Sequence, residues 1–186
     1  YVAFASTATN LAGGGAWNVF LRDRDADDDG VFDEADGFAT TIVSASASGV
    51  GGNQASTRPS LSADGTTVVF QSLATNLVAG DTNGVQDVFR YDRPSALLQR
   101  VSVRAGGLQA QGASSLAAFG STVSAGGEFV IFSSADAELV AFDGNLATDV
   151  FRYDRTDGTV ALVSAREDGA RTDASDTSER PDSSSG

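Results

Sequence analysis

Twelve residues from Asp25 to Asp36 carry seven carboxylates, in the order Asp25-Ala26-Asp27-Asp28-Asp29-Gly30-Val31-Phe32-Asp33-Glu34-Ala35-Asp36. Carboxylates at alternate positions can wrap one hard cation, and calcium takes about six to eight oxygens at roughly 2.3–2.6 Å. The run fits the calcium-loop pattern D-x-D-x-D-G-x-x-D, with Asp36 at the twelfth position. In that register Asp25, Asp27 and Asp29 supply side-chain oxygens, Gly30 permits the sharp turn, and Val31 offers its backbone carbonyl. Asp33 binds directly or through water. Asp36 closes the loop where a glutamate is usual, with Glu34 as its substitute. Aspartate is the shorter side chain, so this loop has to close more tightly. The competing reading is a solvated acidic loop, but carboxylates at this density repel one another when no cation is present. The expected cofactor is calcium, in a structural role.

A weaker pattern, D-x-N-x-x-x-D, occurs twice: at Asp81, Asn83 and Asp87, and at Asp143, Asn145 and Asp149. Three side chains are few for calcium. Asp and Asn commonly bond nearby backbone amides where a turn enters a strand. These six residues are therefore expected as turn formers first and as a weak metal site second. Trp17 is expected to pack, with a sugar-stacking platform as the alternative. Arg90 with Asp92, and Arg152 with Asp154, are candidates to pair across neighbouring repeats, where exposed ion pairs contribute little, about 0–1 kcal/mol. No catalytic residue stands out. The chain has neither His nor Cys, which excludes zinc sites, Ser-His-Asp triads and Cys-His dyads within it. A carboxylate pair for glycoside hydrolysis needs only Asp or Glu, but nothing singles one out.

The elements that position these residues repeat. Tyr1-Val2-Ala3-Phe4 returns as Thr67-Val68-Val69-Phe70 and Phe129-Val130-Ile131-Phe132. Asn18-Val19-Phe20 returns as Asp87-Val88-Phe89 and Asp149-Val150-Phe151, and Val43-Ser44 as Val101-Ser102 and Val163-Ser164. Phe70 to Phe132 and Phe89 to Phe151 are both 62 residues, so two anchors give one period. Each repeat reads as four short strands, A to D. In the second repeat A is Arg58 to Ser62, B is Thr66 to Gln71, C is Asp87 to Asp92 and D is about Leu98 to Val103. Asp64-Gly65 between A and B is a hairpin signal, because Gly supplies the positive φ of the turn. Strands B and C alternate weakly, as in Val88-Phe89, which fits sheets covered on both faces. The first repeat departs from the others between C and D. Arg24 to Val43 spans 19 residues, against 8 for Arg93 to Val101 and for Arg155 to Val163. The extra 11 residues hold the acidic run. Its flanks are strands, so an EF-hand pair is not expected.

Length and charge narrow the class. The 186 residues are enough for one sizeable domain or several repeat units. Net charge is −13 and the twelve cations are all Arg. Such a chain repels phosphate backbones, so nucleic acid is not an expected partner. A salty or calcium-rich extracellular setting and a GC-rich genome would bias composition alike. No apolar run approaches the roughly 18 residues of a membrane span. The chain opens at Tyr1 inside a strand pattern, as expected of an excerpt from a longer protein.

Pro59-Ser60-Leu61-Ser62-Ala63-Asp64-Gly65, Ala74-Thr75-Asn76-Leu77-Val78 and Gly80-Asp81-Thr82-Asn83-Gly84-Val85-Gln86-Asp87-Val88-Phe89 resemble the TolB-like, WD-repeat-related propellers of bacteria. The acidic run, with its closing Asp, resembles dockerin-type loops. The propeller resemblance implies an all-β fold of four-stranded antiparallel blades around an axis. Three repeats are present, half of or an excerpt from a six-bladed ring. Residues 1–57 are expected as the first blade, with strands B, C and D and the calcium loop. Residues 58–118 and 119–177 follow as the second and third. Residues 178–186 supply strand A of a further or split blade, since Arg180-Pro181 lines up with Arg58-Pro59. The expected function is a non-catalytic extracellular or periplasmic module that binds a protein or glycan, or acts as a scaffold. The alternative is the propeller of a hydrolase, either a carboxylate-dependent glycosidase or the non-catalytic part of a peptidase. Two copies closing a six-bladed ring, or further blades of a longer chain, are the expected completions.

Overall fold

A computed structural model of the chain describes residues 1–11, 16–117, 120–141 and 147–164. Strand A in Arg180–Gly186, and Asp143 with Asn145, lie outside them. Among the described residues eleven strands form three antiparallel sheets that follow one another along the chain. Sheet 1 is β1 (Val2–Ser6), β2 (Asn18–Asp23) and β3 (Ala39–Ile42). Sheet 2 runs in order through β4 (Ser56–Leu61), β5 (Thr67–Ser72), β6 (Asp87–Asp92) and β7 (Leu97–Arg100). Sheet 3 does the same through β8 (Ser114–Ser115), β9 (Phe129–Ser134), β10 (Asp149–Asp154) and β11 (Thr159–Leu162). The chain is thus all-β, built of blade-like antiparallel sheets. Its described helical structure is one short 3₁₀ turn at Ala105–Gly107. No helix among the described residues is long and apolar enough to cross a membrane.

Residue type accounts for the pairing. In every sheet a Val-x-Phe strand lies against a Val-Phe strand in one register: Phe4 opposite Phe20, Phe70 opposite Phe89, Phe132 opposite Phe151. The paired rings stack with centroids 5.5, 5.6 and 5.9 Å apart. Cross-strand aromatic pairs of this kind stabilise a sheet by about 0.2–1 kcal/mol beyond burial.

The first strands of sheets 2 and 3 depart from expectation in detail. β4 begins at Ser56, before Arg58, and its register shifts between Thr57 and Ser60. Pro59 has no N–H for the ladder, so the strand bulges there, with Arg58 at φ +53°. In sheet 3 this bulge is longer. Ser114 and Ser115 pair with Ser134 and Ser133, and the chain then returns for a single bridge between Val123 and Val130.

Successive sheets share their apolar faces. One core packs Val19, Leu21 and Val43 of sheet 1 against Val68, Phe70 and Phe89 of sheet 2. The other packs Val69, Val88 and Val101 of sheet 2 against Val130, Phe132 and Phe151 of sheet 3. Sheet 2 is therefore covered on both sides, which is why adjacent Val88 and Phe89 are both fully buried.

The two junctions carry different polar ties. Between sheets 1 and 2, Thr75 N–H donates to Asn53 Oδ1 (2.9 Å), Asn53 N–H donates to Asn76 Oδ1 (2.9 Å), and Asn53 Nδ2 donates to Thr75 Oγ1 (3.0 Å). Between sheets 2 and 3, Arg104 forks onto the buried Asp136 through Nε (2.9 Å) and Nη2 (2.8 Å), and also reaches Glu138. The repeat places Ser46 and Ala74 where Arg104 and Asp136 stand.

Candidate functional site

β2 ends at Asp23 and β3 begins at Ala39, and the acidic run fills the excursion between them. The base of the loop is closed by two backbone bonds, Ala26 N–H to Gly37 O and Asp33 N–H to Arg24 O, both 2.7 Å. Above that base, Asp25, Asp27 and Asp29 gather, with one carboxylate oxygen from each within 4.8 Å of the others. The backbone fixes this gathering. Asp29 N–H donates to Asp25 Oδ1 (3.1 Å), Gly30 N–H to Asp25 Oδ2 (3.2 Å), and Val31 N–H to Asp29 Oδ1 (2.8 Å). Gly30 has the positive φ (+88°) that the sharp turn needs.

Asp33 and Asp36 lie outside this set of three. The Asp33 carboxylate accepts from Arg22 Nε (3.2 Å) and Arg24 Nε (2.7 Å). The Arg24 hydrogen bond, then that of Arg22, holds its carboxyl below the usual aspartate range. The same guanidiniums lie over Phe38 (3.7 Å) and Phe32 (5.2 Å). Arg-x-Arg directly before the acidic run is the sequence signal of this clamp, which the spacing of the carboxylates alone does not reveal. Chemically, the loop offers a three-carboxylate cradle for a hard cation beside an Arg-Asp-Arg group in which two guanidiniums hold one carboxylate.

The second pattern is occupied by protein donors. Asn83 Oδ1 accepts from Val85 N–H (3.1 Å), as an Asx turn requires. Its amide donates to Asp87 Oδ2 (2.9 Å) and Ala110 O (2.8 Å). Asp81 Oδ1 accepts from Gln109 (3.0 Å), and the buried Arg100 guanidinium lies 3.5 Å from Asp81 and 3.6 Å from Asp87. Burial pushes the Asp87 carboxyl up, against the pull of Ser102, Asn83 and Arg100. Burial, then the charge of Asp87, pushes Asp81 up as well.

The strand-entry residue is part of a lock that recurs in all three sheets. Ser102 Oγ donates to Asp87 (2.6 Å), Ser164 Oγ to Asp149 (2.6 Å) and Ser44 Oγ to Asn18 (3.0 Å). Each serine also accepts the N–H of the next strand residue, Val88, Val150 or Val19. The recurring Val-Ser was the available signal. In place of Arg100 the sister repeats have Ile42 and Leu162.

The remaining expectations resolve as follows. Trp17 is exposed, while its carbonyl accepts Ser56 N–H (2.7 Å) and so ties sheet 1 to β4. Arg90 does not pair across sheets. It bonds Asp92 on its own strand (2.8 Å), and Arg155 of sheet 3 is the residue that reaches across to Asp92 (3.4 Å). Alternate positions of one strand lie on the same face, so the intrastrand pair forms first.

No family model matches the chain, and no curated protein matches it. Among solved structures it is similar to the crystal structure of TolB from Acinetobacter baumannii, with 18% identity and a TM-score of 0.44. The match covers 87% of this chain and 29% of that one, so the chain spans less than a third of the solved protein's length.

Proposed function

We propose that the chain is a non-catalytic module of β-propeller type, periplasmic or extracellular, that binds a protein or a glycan, and that its loop 25–36 holds one structural calcium ion. The observation that carries the calcium reading is the convergence of Asp25, Asp27 and Asp29, whose oxygens lie within 4.8 Å of one another on a backbone that bonds two of them in place. Like charges so close are unfavourable unless a cation sits among them. Val31 O and Asp36 are the proposed completing ligands, with Asp33 joining directly, or through water, on release from Arg22 and Arg24. Bound calcium would fix the 11 extra residues between β2 and β3 and leave the sheets to present their loops. With no His or Cys in the chain, an imidazole or thiolate mechanism has no residues to run on.

Isothermal titration with calcium chloride tests the site. One principal equivalent is expected, with Kd of about 10⁻⁴–10⁻³ M as in extracellular modules. Asp27→Ala with Asp29→Ala should abolish it. Unchanged binding in that double variant would overturn the assignment.

A further inference from the structure

The same groove opens at both junctions between sheets. At the first junction it lies between residues 46–49, the loop after β5 at Leu77 and Val78, and β7 at Leu97 and Leu98, with a volume of about 970 Å³. At the second it lies between the 3₁₀ turn Ala105–Gly107, the loop after β9 at Leu139 and Val140, and β11 at Val160 and Leu162, with a volume of about 780 Å³. The walls correspond in the repeat: Leu77 with Leu139 and Leu98 with Val160 are each 62 residues apart. Clefts that hold ligands have volumes of about 300–1,000 Å³. An apolar residue stands open directly after each turn, Val50 at 58% exposure and Leu108 at 67%. Apolar surface gathered in this way, rather than scattered singly, marks an interaction surface.

The two grooves differ in charge. Among the described residues no charged side chain lines the first. Two open carboxylates border the second: Asp157 is exposed on its wall, and the Glu138 side chain, 74% exposed, stands next to Leu139. Asn76 and Ser95 hold these places in the first groove. Arg104 also lines the second groove, but its guanidinium is already taken. Nε and Nη2 donate to the buried Asp136, and Nη1 reaches Glu138. Arg152 acts on Asp157 but does not line the groove. Groove and rim therefore hold three carboxylates against one guanidinium, and a cationic occupant complements them. The wall at β11 adds a shape requirement. β11 is the outer strand of sheet 3, as β7 is of sheet 2. An outer strand has one row of backbone N–H and C=O groups without a strand partner, which an extended segment can pair.

We propose that the second groove docks an extended, basic segment of another protein, with apolar side chains entering the groove and lysine or arginine lying along its rim at Glu138 and Asp157. Alternating apolar and basic residues suit it, because successive side chains of an extended segment point to opposite sides. The first groove has the same walls without the carboxylates and is the internal control. This inference deepens the reading of the chain as a protein-binding module and is independent of calcium.

Fluorescence anisotropy tests the proposal with three labelled, capped heptapeptides: Lys-Val-Lys-Val-Lys-Val-Lys, the same peptide with Glu for Lys, and the same peptide with Ser for Val. Only the first should bind saturably, and more weakly as salt screens the rim charges. Glu138→Asn with Asp157→Ser copies the first groove at two exposed positions. It should weaken binding roughly 2- to 30-fold, as expected for two exposed ion pairs, and leave the thermal melt unchanged. Val140→Trp, which fills the groove, should weaken binding as well. Asp27→Ala with Asp29→Ala removes the same charge elsewhere and should leave the peptide affinity unchanged. No saturable binding, equal binding of the acidic or serine peptide, or equal affinity in the two charge variants would each overturn the proposal. A doubled mass in light scattering that disappears in Glu138→Asn with Asp157→Ser would give the groove to a second copy of the chain, and would overturn it too. Turnover of a probe peptide would instead sink the non-catalytic reading, so the two can fail separately.

Discussion

Asp136 offers the sharpest test of how the sheets are held in register. It is buried and accepts four hydrogen bonds: two from the Arg104 fork, one from Gln111 N–H (2.6 Å) and one from Glu138 N–H (2.9 Å). Burial alone would raise its carboxyl, but the Arg104 bonds and the two amides outweigh burial and hold it below the usual range. Asp136→Ala removes the anion and strands Arg104 with two amides. Breaking a buried pair in this way costs about 3–5 kcal/mol. The Arg104 side chain is 22% exposed and can recover some water, so about 3 kcal/mol is expected. For a chain of this size that is a fall in Tm of roughly 6–12 °C, at about 2–4 °C per kcal/mol. The sister junction uses Ser46 and Ala74 at these places, so Arg104→Ser with Asp136→Ala transplants a pairing the fold already tolerates. Urea unfolding of the two single variants and the double variant gives the coupling directly. The double variant should be less destabilised than the sum of the singles by about 1–2 kcal/mol. Additive losses, or a cost below about 1 kcal/mol for Asp136→Ala, would refute the view of this fork as a buried tie. The pH sign follows from the depressed carboxyl. The stability that Asp136 contributes is whole above the ordinary aspartate value near 3.8 and is lost as pH falls through the lower folded value.

Asp87 should behave oppositely. Its folded carboxyl is raised, so the favourable share of its protonation is present below the unfolded value and lost as pH rises through the folded one. Asp87→Asn, which mimics the protonated carboxyl and copies Asn18, should therefore hold or raise the urea midpoint near neutral pH, and a clear fall would show that pairing with Arg100 outweighs burial. Asp33→Asn should keep one calcium equivalent but weaken its affinity, because Asp33 joins the site only on release from Arg22 and Arg24, and an unchanged Kd on titration would remove it from the ligand set. Gly112→Ala should destabilise by about 1–3 kcal/mol in thermal melts, because a Cβ there would lie 2.4 Å from the Asp136 amide nitrogen.

Much of the architecture was legible in the chain because strand pairing is local and periodic. The 62-residue spacing of Phe70 with Phe132 and of Phe89 with Phe151 marked the repeat, and Asp64-Gly65 marked the hairpin that joins β4 to β5. The weak alternation of Val88-Phe89 already implied a sheet covered on both sides. The register of Asp25, Asp27, Asp29 and Gly30 likewise follows from local spacing, since alternate positions along a tight loop converge whatever surrounds them. What the chain alone could not decide was which charges meet across sheets. Arg104 lies with Asp136 and Arg155 with Asp92, because the packing of sheet 3 on sheet 2 brings together residues up to 63 positions apart. Sequence spacing within a loop carries no information about those encounters. Asp33 shows the same limit at short range: its position in the acidic run points to a metal ion, and the fold gives it to Arg22 and Arg24. Local spacing sets which groups can gather, and tertiary packing sets which partner reaches them first.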